Sequence, residues 1–126
     1  GRVLTSNTVQ TDANYDGANK GLWSGGTAQN NSYQNSTFWY ISTSAMNGIE
    51  DQGKESLNSI LYLFNFNNAE FSFITEENAT LNGDGQLYGA QGGAVKTTAE
   101  ANNGMQFQFS GGNIRTGNAK LYGLFK

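Results

Sequence analysis

Bulky apolar side chains arrive in short alternating blocks, and stretches rich in Gly and Asn separate those blocks. Strands joined by turns produce this pattern. Thr37-Phe38-Trp39-Tyr40-Ile41-Ser42 has large groups on both faces, which predicts a strand covered on both sides with Trp39 in the core. From Ser59 to Phe66, the residues Ile60, Tyr62, Phe64 and Phe66 share one face, while Leu61, Leu63 and Asn65 take the other. Apolar bulk on both faces predicts a strand central to its sheet. Phe71 and Phe73 continue the alternation through Thr75. Met105, Phe107 and Phe109 alternate with Gln106, Gln108 and Ser110, a half-buried strand with one polar face. Lys120 to Phe125 predicts a last strand, and Val3 to Val9 and Gln86 to Gly89 are weaker candidates.

The turn-forming stretches are Asn14 to Asn19, Ser24 to Asn35, Asn82-Gly83-Asp84-Gly85, Asn102-Asn103-Gly104 and Ser110 to Asn118. Gly and Asn accept positive φ at little cost, which is why such clusters turn the chain. Helical signal is confined to Ile49–Leu57 and Thr97–Asn102, each worth about one turn, and Gly53 breaks the first. About seven short strands spaced by turns predict an all-β chain: one antiparallel β-sandwich or jelly-roll-like domain over residues 1–126. The connections are too short for repeated parallel crossovers. The chain starts at Gly1 rather than Met, as a processed form or a fragment would.

Composition removes several chemistries. With no Cys there is no disulfide framework, thiolate zinc site or thiol nucleophile, and with no His there is no imidazole base. Half the residues are Gly, Asn, Thr, Ser or Gln, yet aromatics reach 13%, enough to build a small core rather than a disordered tail. A net charge of −3 with no basic run argues against nucleic acid. No apolar run approaches the ~18 residues of a membrane span, so no membrane insertion is expected.

The remaining candidates are few. Asp12, Asn14 and Asp16 lead into Gly17 with oxygen donors at every second position, like the first half of a calcium loop. The twelfth position of such a loop needs a bidentate Glu and here holds Trp23, so the string reads first as a turn; no metal and no cofactor are expected. Ten scattered acids offer no facing pair from one segment, and Glu76 and Glu77 must point to opposite faces of a strand. No enzyme is expected. Trp23, Tyr33 and Tyr15 are the ligand or interface candidates, since amphipathic aromatics beside amide side chains suit either sugar rings or a neighbouring subunit.

The second half of the chain resembles a known type of protein. Asn65-Phe66-Asn67-Asn68, then Phe71 to Thr80, a Gly-bearing Leu87-Tyr88-Gly89-Ala90, Met105 to Phe109, and Thr116 to Leu124 follow one another. This run resembles the C-terminal part of small virion surface proteins of tailed phages, of the capsid-decoration or tail-fibre type, which end in a Leu-Tyr-Gly strand. The match covers residues 60–126. Asn14-Tyr15 and the Gly/Ser-rich loop that follows are similar to the middle region of those proteins, which carry more strand-rich sequence ahead of it, so here either an upstream segment has been removed or a neighbouring subunit supplies the missing edge.

The resemblance implies a non-enzymatic structural protein at the extracellular surface of a virion. Its expected partners are identical subunits, with a trimer the expected state, and other virion proteins. The alternative is a glycan-binding host-recognition module that takes cell-surface sugar, with Trp23 and Tyr33 exposed together on one loop face.

Overall fold

The structure, a computed structural model, describes residues 1–41, 57–81, 85–111, 113–114 and 116–124. The chain is all-β. Its eight strands are β1 (Arg2–Thr5), β2 (Thr8–Val9), β3 (Tyr15–Trp23), β4 (Gln29–Ser36), β5 (Leu57–Phe64), β6 (Glu70–Leu81), β7 (Leu87–Glu100) and β8 (Gly104–Gln106). They form a five-stranded sheet in the order β4-β3-β7-β6-β5 and a three-stranded sheet in the order β2-β1-β8, with every pairing antiparallel. The two sheets are consistent with a β-sandwich.

The small sheet starts from a tight hairpin. Ser6 and Asn7 both hold positive φ, 50° and 63°, as the two central residues of a type I′ turn do, so Leu4 faces Val9 and Thr5 faces Thr8. β8 pairs along the other side of β1, with Val3 opposite Met105.

Alternation decides what the large sheet buries. In β6, Ser72, Ile74, Glu76, Asn78 and Thr80 are all buried, and the residues between them are exposed. The register carries this inner face across β7 and β3: Ile74 lies opposite Ala94, which lies opposite Gly17, and Thr80 lies opposite Tyr88, which lies opposite Trp23. Large groups sit against small ones. A Cβ at Gly21 would fall 1.8 Å from the Tyr88 hydroxyl oxygen, so that buried ring lies where a side chain would otherwise stand. One core cluster joins the sheets: Val3 of β1, Tyr15 of β3, Ile74 of β6 and Trp39, with Leu61, Leu63, Phe66, Ala94 and Met105 packed around them. Tyr15 and Trp39 meet edge to face at 5.4 Å. A second, smaller cluster holds Tyr88 and Ala90 against Trp23.

Several expectations are corrected. Residues 37–41 form no strand; they are an irregular plug whose Trp39 fills the core and is held by paired bonds with Gly1, Gly1 N to Trp39 O at 2.6 Å and Trp39 N to Gly1 O at 2.8 Å. β5 is not central but an edge, paired with β6 alone among the described residues. Stretches read as turns, 14–19 and 24–35, fall largely in β3 and β4, and Thr97–Glu100 extends β7 rather than coiling. Phe107 to Phe109 and Lys120 to Leu124 are irregular and exposed. Most of the Ile49–Leu57 stretch and Asn82-Gly83-Asp84 lie outside the described residues.

Candidate functional site

The outer face of the large sheet presents its largest feature at the β5–β6 side. β5 alternates Ile60, Tyr62 and Phe64 outward, and β6 adds Phe71 and Phe73. Phe64 pairs directly with Phe73, so the two rows meet as one patch. All five side chains are between 43% and 57% exposed. Single exposed apolar residues are ordinary on a surface, but a contiguous group of this size marks an interaction site or an aggregation hazard. Away from β5 the same face becomes small and polar: Glu77 accepts from Gln91 at 3.1 Å, and Lys20 lies opposite Gln91. An open depression of about 450 Å³ there is lined by amides, Ser32 and Lys20.

A second exposed apolar feature follows β8. Phe107, Phe109 and Ile114 are exposed, and Leu121, Tyr122 and Leu124 are 89%, 77% and 88% exposed.

The three aromatic candidates do not gather. Tyr15 is wholly buried in the core, where its hydroxyl donates to Gln10 O at 3.0 Å and accepts from Val3 N at 3.3 Å. Its ring offers no face to a ligand. Tyr33 is half-buried, set edge to face against Tyr40 at 4.7 Å and laid over Gly17; its hydroxyl accepts from Tyr40 N, and burial pushes its phenol well above the usual range. Trp23 is half-buried and packs edge to face on Tyr88 at 6.1 Å. Tyr33 pairs with Gly17, six positions along β3 from Trp23, a separation of about 20 Å at ~3.3 Å per residue. They do not share a loop face.

Asp12, Asn14 and Asp16 also diverge. Asp12 is exposed, Asn14 donates to Thr98 Oγ1, and Asp16 Oδ1 accepts from Asn35 N at 2.7 Å. Among the described residues no three acids converge as a metal site would require. Glu76 and Glu77 take opposite faces, Glu76 buried and Glu77 exposed.

Two buried polar groupings hold the layers together. Between the sheets, Lys96 is fully buried with Nζ 2.9 Å from Glu100 Oε1, and Thr5 donates to Glu100 Oε2 at 2.6 Å. Asn102, also buried, donates to Ser72 Oγ at 2.7 Å and keeps its Oδ1 3.1 Å from the Thr5 hydroxyl. Burial alone would raise the Glu100 carboxyl, but the Thr5 hydrogen bond with the Lys96 hydrogen bond and charge outweigh it and hold it below 4.5. Farther along the sheet, Asn19 Nδ2 donates to Glu76 Oε1 at 3.0 Å; burial outweighs this bond and raises the Glu76 carboxyl above 4.5.

The two shifts act on stability in opposite senses. Ionised Glu76 penalises the fold, so stability rises as pH falls from its raised pKa toward 4.5. Glu100 contributes stability above 4.5, and that contribution is lost as pH falls through its depressed pKa. Glu76→Gln keeps the acceptor for Asn19 and removes the charge. It is expected to raise Tm at pH 7 and to flatten the rise between neutral pH and 4.5, as thermal melts across that range measure.

The apolar alternation of β5 is plain in the sequence, but bulk on both faces is what a central strand shows, whereas β5 lies at the sheet edge among the described residues. Lys96 had no signal at all, since a lone Lys between Val95 and Thr97 reads as surface. Comparison with protein-family models, with curated proteins and with solved structures finds no match to this chain.

Proposed function

We propose that the chain is a non-enzymatic structural protein that works by subunit–subunit assembly at the extracellular surface of a tailed-phage virion, as capsid decoration or part of a tail fibre. One observation carries the assembly role: the contiguous patch of Ile60, Tyr62, Phe64, Phe71 and Phe73, about half exposed in a single copy. Its burial against further copies of the chain gives the apolar, aromatic centre typical of specific interfaces. The virion setting is supported by the resemblance of residues 60–126.

Phe71→Asp with Phe73→Asp places two charges in the patch without touching the buried face. Large interface anchors are each worth roughly 1–3 kcal/mol, so the pair is expected to weaken self-association at least ~100-fold while leaving the circular dichroism spectrum unchanged. Sedimentation of the two proteins measures it. Unaltered association, together with absence of the chain from purified virions by mass spectrometry, removes this role.

A further inference from the structure

We infer that residues 120–124 of one copy pair as an added strand with the Ile60–Phe64 edge of β5 in a neighbouring copy. The inference rests on the assembly role above and supplies its joint. Two features of the single chain are otherwise unmatched. β5 has the composition of a central strand, with Leu61 and Leu63 inward and Ile60, Tyr62 and Phe64 outward, yet among the described residues it pairs only with β6. Lys120 to Leu124 has the composition of a strand apolar on both faces, yet Leu121, Tyr122 and Leu124 stand almost wholly in solvent. An edge strand with unpaired backbone groups is a template for another chain, and such strand addition takes affinity from the backbone ladder and specificity from alternate side chains.

The side chains fit that pairing. Set beside Ile60-Tyr62-Phe64, the triple Lys120-Tyr122-Leu124 continues the outer apolar patch and leaves Leu121 on the inner face beside Leu61 and Leu63. Tyr122, the middle residue, then lies beside Tyr62 whichever direction the added strand runs. Charge favours the same match: residues 101–126 carry Arg115, Lys120 and Lys126 with no acid, whereas residues 57–100 carry five acids against Lys96. Glu77, on the outer face and paired with Ile60, is an exposed acid of that acceptor region. The opposite sheet edge does not match, because β4 reads Gln-Asn-Asn-Ser-Tyr-Gln-Asn-Ser and carries only Tyr33 as a large apolar group. Each copy donates one segment and accepts one, a head-to-tail contact that closes into a ring when the rotation permits.

The chain has no cysteine, so single thiols report the contact cleanly. Tyr62→Cys and Tyr122→Cys variants of the full chain, tagged to differ in mass, are mixed and oxidised; adjacent strands hold Cβ atoms within disulfide reach. The expected product is a disulfide heterodimer between the two variants, at least ~10-fold over either variant alone. In parallel, Leu121→Asp with Leu124→Asp alters only exposed side chains and is expected to weaken association at least ~100-fold. No heterodimer, with oligomers of the Leu121→Asp, Leu124→Asp chain intact, overturns the inference and leaves the assembly role standing. A disulfide formed within single copies of a Tyr62→Cys, Tyr122→Cys double variant, and not between copies, also overturns it. A monomeric unmodified chain overturns both readings together.

Discussion

Glu100→Gln is expected to destabilise the fold by about 3 kcal/mol, lowering Tm by roughly 10 °C. Lys96 is fully buried between the sheets, and Glu100 Oε1 at 2.9 Å is its counter-charge. Removing that carboxylate leaves an ammonium in a water-poor layer, flanked across the ladder by Tyr15 and Ser72. The cost is dominated by the orphaned charge rather than by the lost attraction. Lys96→Met in the Glu100→Gln background removes the orphan and is expected to recover at least half of the loss. Lys96→Met alone leaves Glu100 with Thr5 at a partly exposed position and costs less than Glu100→Gln. Urea melts of the three variants close the double-mutant cycle, with an expected coupling of about 1–3 kcal/mol. Equal losses for both single variants, adding in the double, would show that the two groups are not coupled.

Trp39→Ala is expected to cost about 3–5 kcal/mol, a large share of the stability of a chain this long. The indole fills the space between Val3 of β1, Tyr15 of β3 and Ile74 of β6, and it stands on an irregular segment rather than in a strand. Trp39→Phe separates two contributions. It loses part of the indole volume, but it also removes an Nε1 that is buried without a hydrogen-bond partner among the described residues, which itself costs about 1–3 kcal/mol. The phenylalanine variant is therefore expected to lose no more than about 2 kcal/mol. Losses as large as for alanine would mean that Nε1 is satisfied in solution.

These two cases show how far the amino-acid order can be read. Alternation located β5, the start of β6 and Trp39 as a core residue, because large side chains announce a buried face; Val3 to Val9, which reads as one weak strand, is instead the β1–β2 hairpin turned at Ser6-Asn7. Alternation missed β3 and β4, which are built from Asn, Gly and Gln. Turn composition and strand composition coincide there, and Gly17 and Gly21 serve instead to leave room for the rings of Tyr33 and Tyr88. Of β7 only the start, Leu87 to Gly89, shows as a strand candidate; the rest hides for the same reason, since Gly92 and Gly93 lie opposite Glu76 and Thr75 and carry no bulk of their own. The candidate site failed differently. Tyr15, Trp23 and Tyr33 are candidates on ring chemistry alone, and local order does not tell that Tyr15 points inward or that Trp23 of β3 and Tyr33 of β4 lie far apart. Nor can it distinguish a central strand from an edge strand that is apolar on both faces. Sheet order alone turns Ile60, Tyr62 and Phe64 from core into surface.

Reading Ile60–Phe64 as the middle of a sheet and Lys120–Leu124 as a strand conflicts with one isolated copy and agrees with an assembly of several. The solution mass of the unmodified full chain, by multi-angle light scattering, tests this most directly. A whole-number multiple of 13.6 kDa is expected, with three copies foremost, returning to 13.6 kDa when Phe71→Asp and Phe73→Asp are introduced. A 13.6 kDa particle for the unmodified chain at every concentration would overturn assembly as its role.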